Sequence, residues 1–434
     1  MNNDSAAILL NRSFTSKKQI VMAALICLFA ALFYMYEYIL QVSPGVMTNE
    51  LMHDLKLNAV TLGATVSFYY YSYMPMQLPA GLLLDRFGTR RLMTCAILVC
   101  ALGAWLFASA HTATLAASGR FLMGIGSAFS FISALLLIAR WFPAKYFALL
   151  AGIIQFMSSL GAIAGTAPLA AAISTWGWRT TMLSLSLLGV AIAGGVYAIV
   201  RDHPKITAKK YSKPSRKRNE WHSLRQICHK SQTWLLGLYS LLIWAPITSF
   251  AALWGLPFLR MQYGLDRTTA STAITMIWLG VGLGSPLFGW WSDKIKKRCT
   301  PLTCSALLGV ISLFLLIYNT HLSLFMLYVL LFVFGLAASG QALSFSLVKD
   351  NHSTEVVGTA IGFNNMSALV GSALFQPLVG LLLYLNWNGI TSQGVPIYQA
   401  TDYQQALCIL PLCYVGSAII SQFLLRETHC RPCV

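Results

Sequence analysis

Apolar stretches long enough to cross a bilayer recur along almost the whole chain, separated by short loops that collect its positive charge. A transmembrane helix needs about 20 predominantly apolar residues. Twelve stretches qualify, at roughly 20–44, 59–84, 92–110, 115–139, 146–174, 180–200, 233–258, 268–292, 301–318, 322–348, 356–385 and 403–425. Several exceed about 25 residues, which predicts tilt or extension past the bilayer. Backbone exposed to lipid must bond within its own segment, so segments of this kind are helices. The predicted class is an all-α integral membrane protein of twelve transmembrane helices in two sets of six.

Charge distribution orients those helices. The chain is 57% hydrophobic and 10% charged, with a net charge of +17 and a mean hydropathy of +0.65. Gathered on one folded surface, such charge would suggest nucleic-acid binding. Here it lies in loops, where Lys and Arg set membrane orientation. With a cytoplasmic N-terminus, 25 of the 30 Lys and Arg fall in cytoplasmic segments. Only Lys56, Arg179, Arg260 and Arg267 fall opposite, and Arg120 lies inside a span. Both termini are expected in the cytoplasm. The partners expected are the lipid bilayer and a small-molecule substrate, with no nucleic acid. Short loops and no outward glycosylation sequon point to a multi-pass protein of a bacterial inner membrane. The first apolar stretch is too long for a signal-peptide core and is read as a retained helix.

The most polar and basic stretch divides the chain. Residues 1–200 form one six-helix half, 201–232 a cytoplasmic linker, 233–425 the second half and 426–434 a tail. The linker carries Pro204, Pro214 and the run from Lys213 to Arg218, suited to rest near anionic headgroups. A regulatory or partner-binding linker is the alternative. Cys27, Cys95, Cys100, Cys304, Cys408 and Cys413 lie in or beside apolar segments as small hydrophobes. Cys430 and Cys433 form a lone CxxC after His429, too few ligands to close a metal site. No metal or cofactor is expected. Phosphate-cradling GxxxxGK[ST], HExxH and nucleophile-elbow motifs are absent from the sequence, which argues against an enzyme and against ATP as the energy source.

One motif occurs twice. Gly81-Leu-Leu-Leu-Asp85-Arg86-Phe-Gly88-Thr-Arg90-Arg91 ends the second span, and Gly289-Trp-Trp-Ser-Asp293-Lys294 ends the eighth, 208 residues later. Together with the six-plus-six layout, it resembles the signature loop of the major facilitator superfamily. The second copy lacks the second glycine. Arg120-xxx-Gly124 in span 4, Trp141-Phe142-Pro143 with Gly152, and Gly161-xxx-Gly165-xx-Pro168 in span 5 are similar to further patterns of that family. The last is a pattern linked to antiporters, although small-xxx-small spacing also describes ordinary helix packing. The resemblance implies two halves rocking about a substrate at the membrane midplane. It makes Gly81, Asp85, Arg86, Gly88, Arg90, Arg91, Gly289, Asp293 and Lys294 gate parts. In that reading Gly81 permits close helix approach, Asp85 caps or pairs at a neighbouring helix end, and the arginines bond terminal carbonyls. It also implies that a monomer suffices for transport.

Ionisable groups inside spans are costly and functional by default. Two stand well inside apolar sequence, Glu37 and Arg120. At 1.5 Å per residue they lie about 7 Å and about 10 Å outward of their span centres, at similar depth. Glu37 is the expected proton or substrate site, with Arg120 as its partner; a structural ion pair, or Glu37 held by tyrosines, is the alternative. Tyr34, Glu37, Tyr38 and Gln41 form one helix stripe. Tyr69, Tyr73 and Gln77 follow at steps of four, with Tyr70 and Tyr71 beside them. Gln155, Trp244, Trp278, Gln341, Asn365 and Gln376 complete the expected substrate-binding set.

That set is aromatic and hydrogen-bonding with little fixed charge. It suits a small polar or zwitterionic nutrient (amino acid, short peptide or nucleoside) better than a dianionic organophosphate, which would favour cations from both halves. The stretch from Tyr36 to Met47 is similar to nutrient transporters of intracellular bacteria. The leading expectation is alternating-access, proton-coupled symport of such a nutrient. The alternatives are a proton-driven exporter of a siderophore, drug or metabolite, and a transporter-like ligand sensor.

Overall fold

The computed structural model describes residues 17–143, 146–202, 225–353, 356–392 and 395–431. Among these, ten segments are helical, long and apolar enough to cross a membrane. One of them, Leu149–Ile199, spans 51 residues and turns back at Gly177, so it holds two crossings. Gly177 adopts φ +77°, a conformation glycine reaches without a Cβ clash. The twelfth crossing is Ala59–Phe87, rich in hydroxyl side chains and carrying Pro75 and Pro79.

The twelve helices are α1 (Lys17–Val42), α2 (Ala59–Phe87), α3 (Thr89–Ala108), α4 (Ala113–Trp141), α5 (147–176), α6 (178–199), α7 (Ser231–Tyr263), α8 (Arg267–Ile295), α9 (Cys299–Tyr318), α10 (Leu324–Asn351), α11 (Val357–Asn386) and α12 (Ala400–Leu424). A short helix, Thr48–Asp54, links α1 to α2. A two-stranded hairpin of β1 (Thr391–Ser392) and β2 (Val395–Pro396) precedes α12.

Local chemistry sets the ends. Asn58 and Thr61 form a capping box that starts α2. Gly88, at φ +86°, ends α2 and begins α3 without an intervening loop. Asp266 accepts from the N–H groups of Thr268 and Thr269 to start α8. Helix α7 continues past its expected end at 258 because a buried π segment, Phe250–Trp254, absorbs the irregularity between Pro246 and Pro257.

Within the first half, α3 packs against α4 and α6; within the second, α9 packs against α10 and α12. The halves meet along α2–α11 and α5–α8. Their tightest approaches gather at the end opposite the GxxxD motifs. A methyl group on Gly45 would sit 2.7 Å from the Ala252 carbonyl oxygen, in the π segment of α7. One on Gly63 would sit 2.9 Å from the Gln376 oxygen, and one on Gly380 would strike the Ala59 carbonyl. The molecule is sealed at that end.

Candidate functional site: a buried polar centre

Glu37 is 1% exposed, deep in α1. Its Oε1 accepts a 2.5 Å hydrogen bond from the Tyr69 hydroxyl of α2. Its Oε2 is buried without a hydrogen-bond partner. A buried charge without a partner is costly, so this carboxyl is poised to take up a proton or a ligand donor.

Arg120 is fully buried but does not pair with Glu37. Its Nη1 donates to the Leu40 carbonyl at 2.7 Å, its Nη2 to Gln41 at 3.4 Å and its Nε to Val66 at 3.4 Å. The reason lies in the sequence. Pro44 has no N–H, so the Leu40 carbonyl at the end of α1 lacks its usual helical donor. The guanidinium supplies one, and Ser43 supplies another at 3.0 Å. The Arg120 guanidinium also stacks 4.6 Å above the Tyr69 ring. The expected Glu37–Arg120 partnership is thus corrected: Tyr69 stands between them, touching both. Gly124, one turn on from Arg120, makes room for it, because a methyl group there would fall onto the Tyr69 carbonyl.

The rest of the expected set divides. Gln41 and Gln376 converge on the Tyr70 hydroxyl from opposite halves, at 3.4 and 3.5 Å. Gln376 also donates to the Thr248 carbonyl at 2.8 Å. The Oε1 atoms of Gln41 and Gln376 are both buried without partners. Trp278, 6.4 Å from Tyr38 ring to ring, has an unpartnered indole N–H. Tyr34 packs on Tyr38 and Phe131, and Tyr73 on Tyr69. Asn365 donates to Gln77 across the halves at 3.3 Å. Gln341 is buried with both amide atoms unpartnered. Gln155 bonds Ser158 on its own helix, and Trp244 is half-buried. Asn364, on the neighbouring face, is tied into a closed triad with Ser240 and Ser344.

At the motif end the expected close approach is not made. A methyl group on Gly81 or Gly289 would meet nothing within 4 Å. The Asp85 side chain lies outside the described residues. Arg90 does bond a terminal carbonyl, donating to Tyr197 at 2.8 Å and stacking on its ring. Arg86 stacks on Phe87 and Lys294 on Trp290, while Arg91 is exposed. Asp293 accepts from Arg298 at 2.8 Å.

The capping is done by residues the sequence reading passed over. Asp202, three residues past α6, accepts from the Arg90 N–H at 2.8 Å. Glu427, three residues past α12, accepts from the Arg298 and Cys299 N–H groups at 2.7 and 2.8 Å. Each carboxylate sits at a helix N-terminus, where the macrodipole favours it. The pairs Arg201-Asp202 and Arg426-Glu427 were a readable signal, a basic–acidic dipeptide just beyond the last span of each half. Burial pushes the Glu427 carboxyl up, but backbone N–H groups of Arg298, Cys299 and His429 outweigh it and hold it below the usual carboxylate range. Of the 201–232 linker, 203–224 lies outside the described residues, as does Cys433.

The sealed end has its own ties. Arg267 donates to Glu50 at 2.5 Å and to the Val46 carbonyl, joining the halves. Thr166 and Thr275 bond at 2.8 Å, and Ala59 N–H donates to the Tyr398 hydroxyl at 3.0 Å. Asp54 accepts from Trp178 at 2.9 Å and from Arg179. Glu50 and Arg267 are 217 residues apart, and nothing local signals their pairing. The span-5 glycines face α1: methyl groups on Gly161 and Gly165 would strike the Met35 carbonyl and come within 3.1 Å of Ile39. Helix packing therefore accounts for that pattern.

The family model described as Major Facilitator Superfamily matches residues 21–375. The chain belongs to the major facilitator superfamily. It is a multi-pass membrane transporter, and the all-α fold expected from the sequence is the fold observed. Its relatives include the "Probable galactarate/D-glucarate transporter GarP" of Escherichia coli (strain K12), 23% identical, covering 85% of this chain and 89% of that one. A solved bacterial homolog of the human lysosomal transporter Spinster, inward-facing and unoccupied, superposes with a TM-score of 0.75 at 16% identity, covering 92% of this superfamily member and 96% of that chain. A point mutant of the nucleoside transporter NupG gives 0.72 at 13% identity, over 92% and 100%.

Proposed function

We propose that this transporter takes up a small polar or zwitterionic nutrient (amino acid, short peptide or nucleoside) together with protons, and that Glu37 carries the proton. The observation behind this reading is the Glu37 carboxyl itself. It is enclosed, held by Tyr69 through one oxygen, bare at the other and paired with no cation. Protonating such a group breaks no ion pair. Its charge state can therefore follow access from either side and bias which gate opens.

The surroundings favour a ligand that offers both N–H or O–H groups and an acceptor, since the Trp278 indole N–H and the Gln341 amide N–H are also buried without partners. Glu37 Oε2, Gln41 Oε1 and Gln376 Oε1 are buried acceptors without donors. Arg120, fully buried beside Tyr69, spends its donors on backbone carbonyls. A dianion such as an aldarate would find no free counter-charge there, so the galactarate/D-glucarate specificity of the relative is not carried over. The exporter reading drew on the span-5 pattern of Gly161 and Gly165, which packing against α1 explains, and on the many aromatics, which would also tolerate a larger, flatter ligand.

The motif end faces the cytoplasm in this reading, with both termini, in a bacterial inner membrane. The halves 1–200 and 233–425, joined by 201–232 and followed by the tail 426–434, rock as a monomer about the Glu37–Gln376 centre.

The test is uptake of labelled amino acids, dipeptides and nucleosides into proteoliposomes under an imposed pH gradient. One class should accumulate only with the gradient, and Glu37→Gln should abolish accumulation while leaving the melting temperature near wild type. Gradient-driven uptake that survives Glu37→Gln would remove Glu37 from coupling.

A further inference from the structure

At the sealed end a cavity of about 510 Å³ opens between the halves. Asn49, Met52 and His53 of the short helix form one wall, and Pro257 and Arg260 of α7 the facing one. Its volume is that of a small-molecule site. It is distinct from the Glu37 centre, which none of its lining residues touches.

Arg260 is the unusual member. Its Nε is buried and has no hydrogen-bond partner. Among the described residues no carboxylate pairs with it. The acids of this end are each engaged elsewhere: Glu50 with Arg267, Asp54 with Arg179, Trp178 and His53, Asp266 at the start of α8, and Asp402 on the Gln399 N–H. A buried, unpaired Nε carries an uncompensated desolvation cost. Arg260 as a whole is half-buried and lines the cavity, and Nε together with one Nη is the side of a guanidinium that grips both oxygens of a carboxylate.

We propose that this cavity is a binding site for a small organic carboxylate, gripped by Arg260 and enclosed by residues of both halves. One available cation matches one carboxylate group. Met52 and Pro257 suit the carbon body, and the Asn49 amide offers a polar contact beside it. Because its walls come from both halves, the site is complete only while this end is sealed. A carboxylate bound here stabilises the sealed arrangement and slows its opening, since a ligand shifts an equilibrium by its differential affinity for the two states. The site is thus a brake or sensing point for carboxylates on that side of the membrane, independent of whether Glu37 carries protons.

The experiment is thermal unfolding of the full-length protein in detergent, with D-gluconate as the probe and sorbitol as its uncharged counterpart. Binding to the folded state alone raises the melting temperature in a saturable way. Gluconate should raise it in the wild type and sorbitol should not. Arg260→Gln should abolish the response, Arg260→Lys should shift its midpoint at least tenfold to higher gluconate, and Glu37→Gln should leave it intact. The Lys variant keeps the charge and guards against a misfolded Gln variant. A wild type indifferent to gluconate, an equal response to sorbitol, or an undiminished response in Arg260→Gln overturns the site. Loss of the response in Glu37→Gln, with Arg260→Gln unaffected, would place the carboxylate in the central cavity and equally overturn it.

Discussion

Tyr69 donates its hydroxyl to Glu37 at 2.5 Å while its ring lies 4.6 Å beneath the guanidinium of Arg120. The two ionisable side chains inside the first half are therefore connected through an aromatic ring. Tyr69→Phe keeps the stacked ring and removes only the donor. A hydrogen bond to a charged group contributes about 1.5–3 kcal/mol. We predict that Tyr69→Phe folds and still binds substrate but changes the pH profile of uptake. An unchanged profile in proteoliposomes would exclude Tyr69 from the proton step.

Arg120 acts as a clamp on the end of α1. Replacing it with Leu removes the guanidinium's bonds to the Leu40, Gln41 and Val66 carbonyls, leaves Ser43 as the side-chain donor to Leu40, and removes the stacking on Tyr69. A hydrogen bond from a charged donor contributes about 1.5–3 kcal/mol. Arg120→Leu should lower the melting temperature markedly, and Arg120→Lys should recover only part of it, since an ammonium cannot reach three carbonyls in the guanidinium's plane. Wild-type stability in Arg120→Leu would contradict the clamp.

The sealed end is held by packing more than by charge. The Arg267–Glu50 pair is partly exposed, with side chains at 20% and 32%. Such a pair contributes about 0.5–1 kcal/mol after screening. Glu50→Gln should shift the open–sealed equilibrium about two- to fivefold, read as faster alkylation of a cysteine introduced at Thr275, which is buried between the halves. Gly45→Val should do far more, because its side chain would overlap the Ala252 carbonyl. Transport by Gly45→Val at the wild-type rate would show that this contact does not close the gate.

Acid should loosen both ends. Burial pushes the Asp54 carboxyl up, but hydrogen bonds from Trp178, Arg179 and His53 hold it below the usual range. Glu427 is depressed in the same way by backbone N–H groups. A carboxyl depressed in the folded state contributes stability above its unfolded pKa and loses that contribution as pH falls through the folded value. Thermal stability should therefore decline below about pH 4, the ordinary carboxylate range. Asp54→Asn or Glu427→Gln should flatten part of that decline. Parallel curves for wild type and both variants would rule these two groups out.

The helices were legible because lipid leaves a chain few options. Each apolar stretch of sufficient length must satisfy its own backbone, and the twelve stretches expected correspond to the twelve helices found. The repeated GxxxD motif likewise signalled the superfamily, and Glu37 and Arg120 stood out as charges in apolar sequence. What remained hidden were the partners. Arg120 was expected beside Glu37 from depth alone, yet depth says nothing of rotation about the helix axis. The capping carboxylates Asp202 and Glu427 lie outside the motif, and only the fold brings them to the starts of α3 and α9.

The sequence by itself determined the class, the crossings and the family, because hydropathy, loop charge and short motifs are local properties that survive without a fold. The tertiary structure decided which side chains meet. The Tyr69 link, the Glu50–Arg267 tie across 217 residues and the unpartnered Nε of Arg260 depend on how helices are rotated and how the halves are shut. Those are set by packing between distant segments, where no local pattern records the outcome.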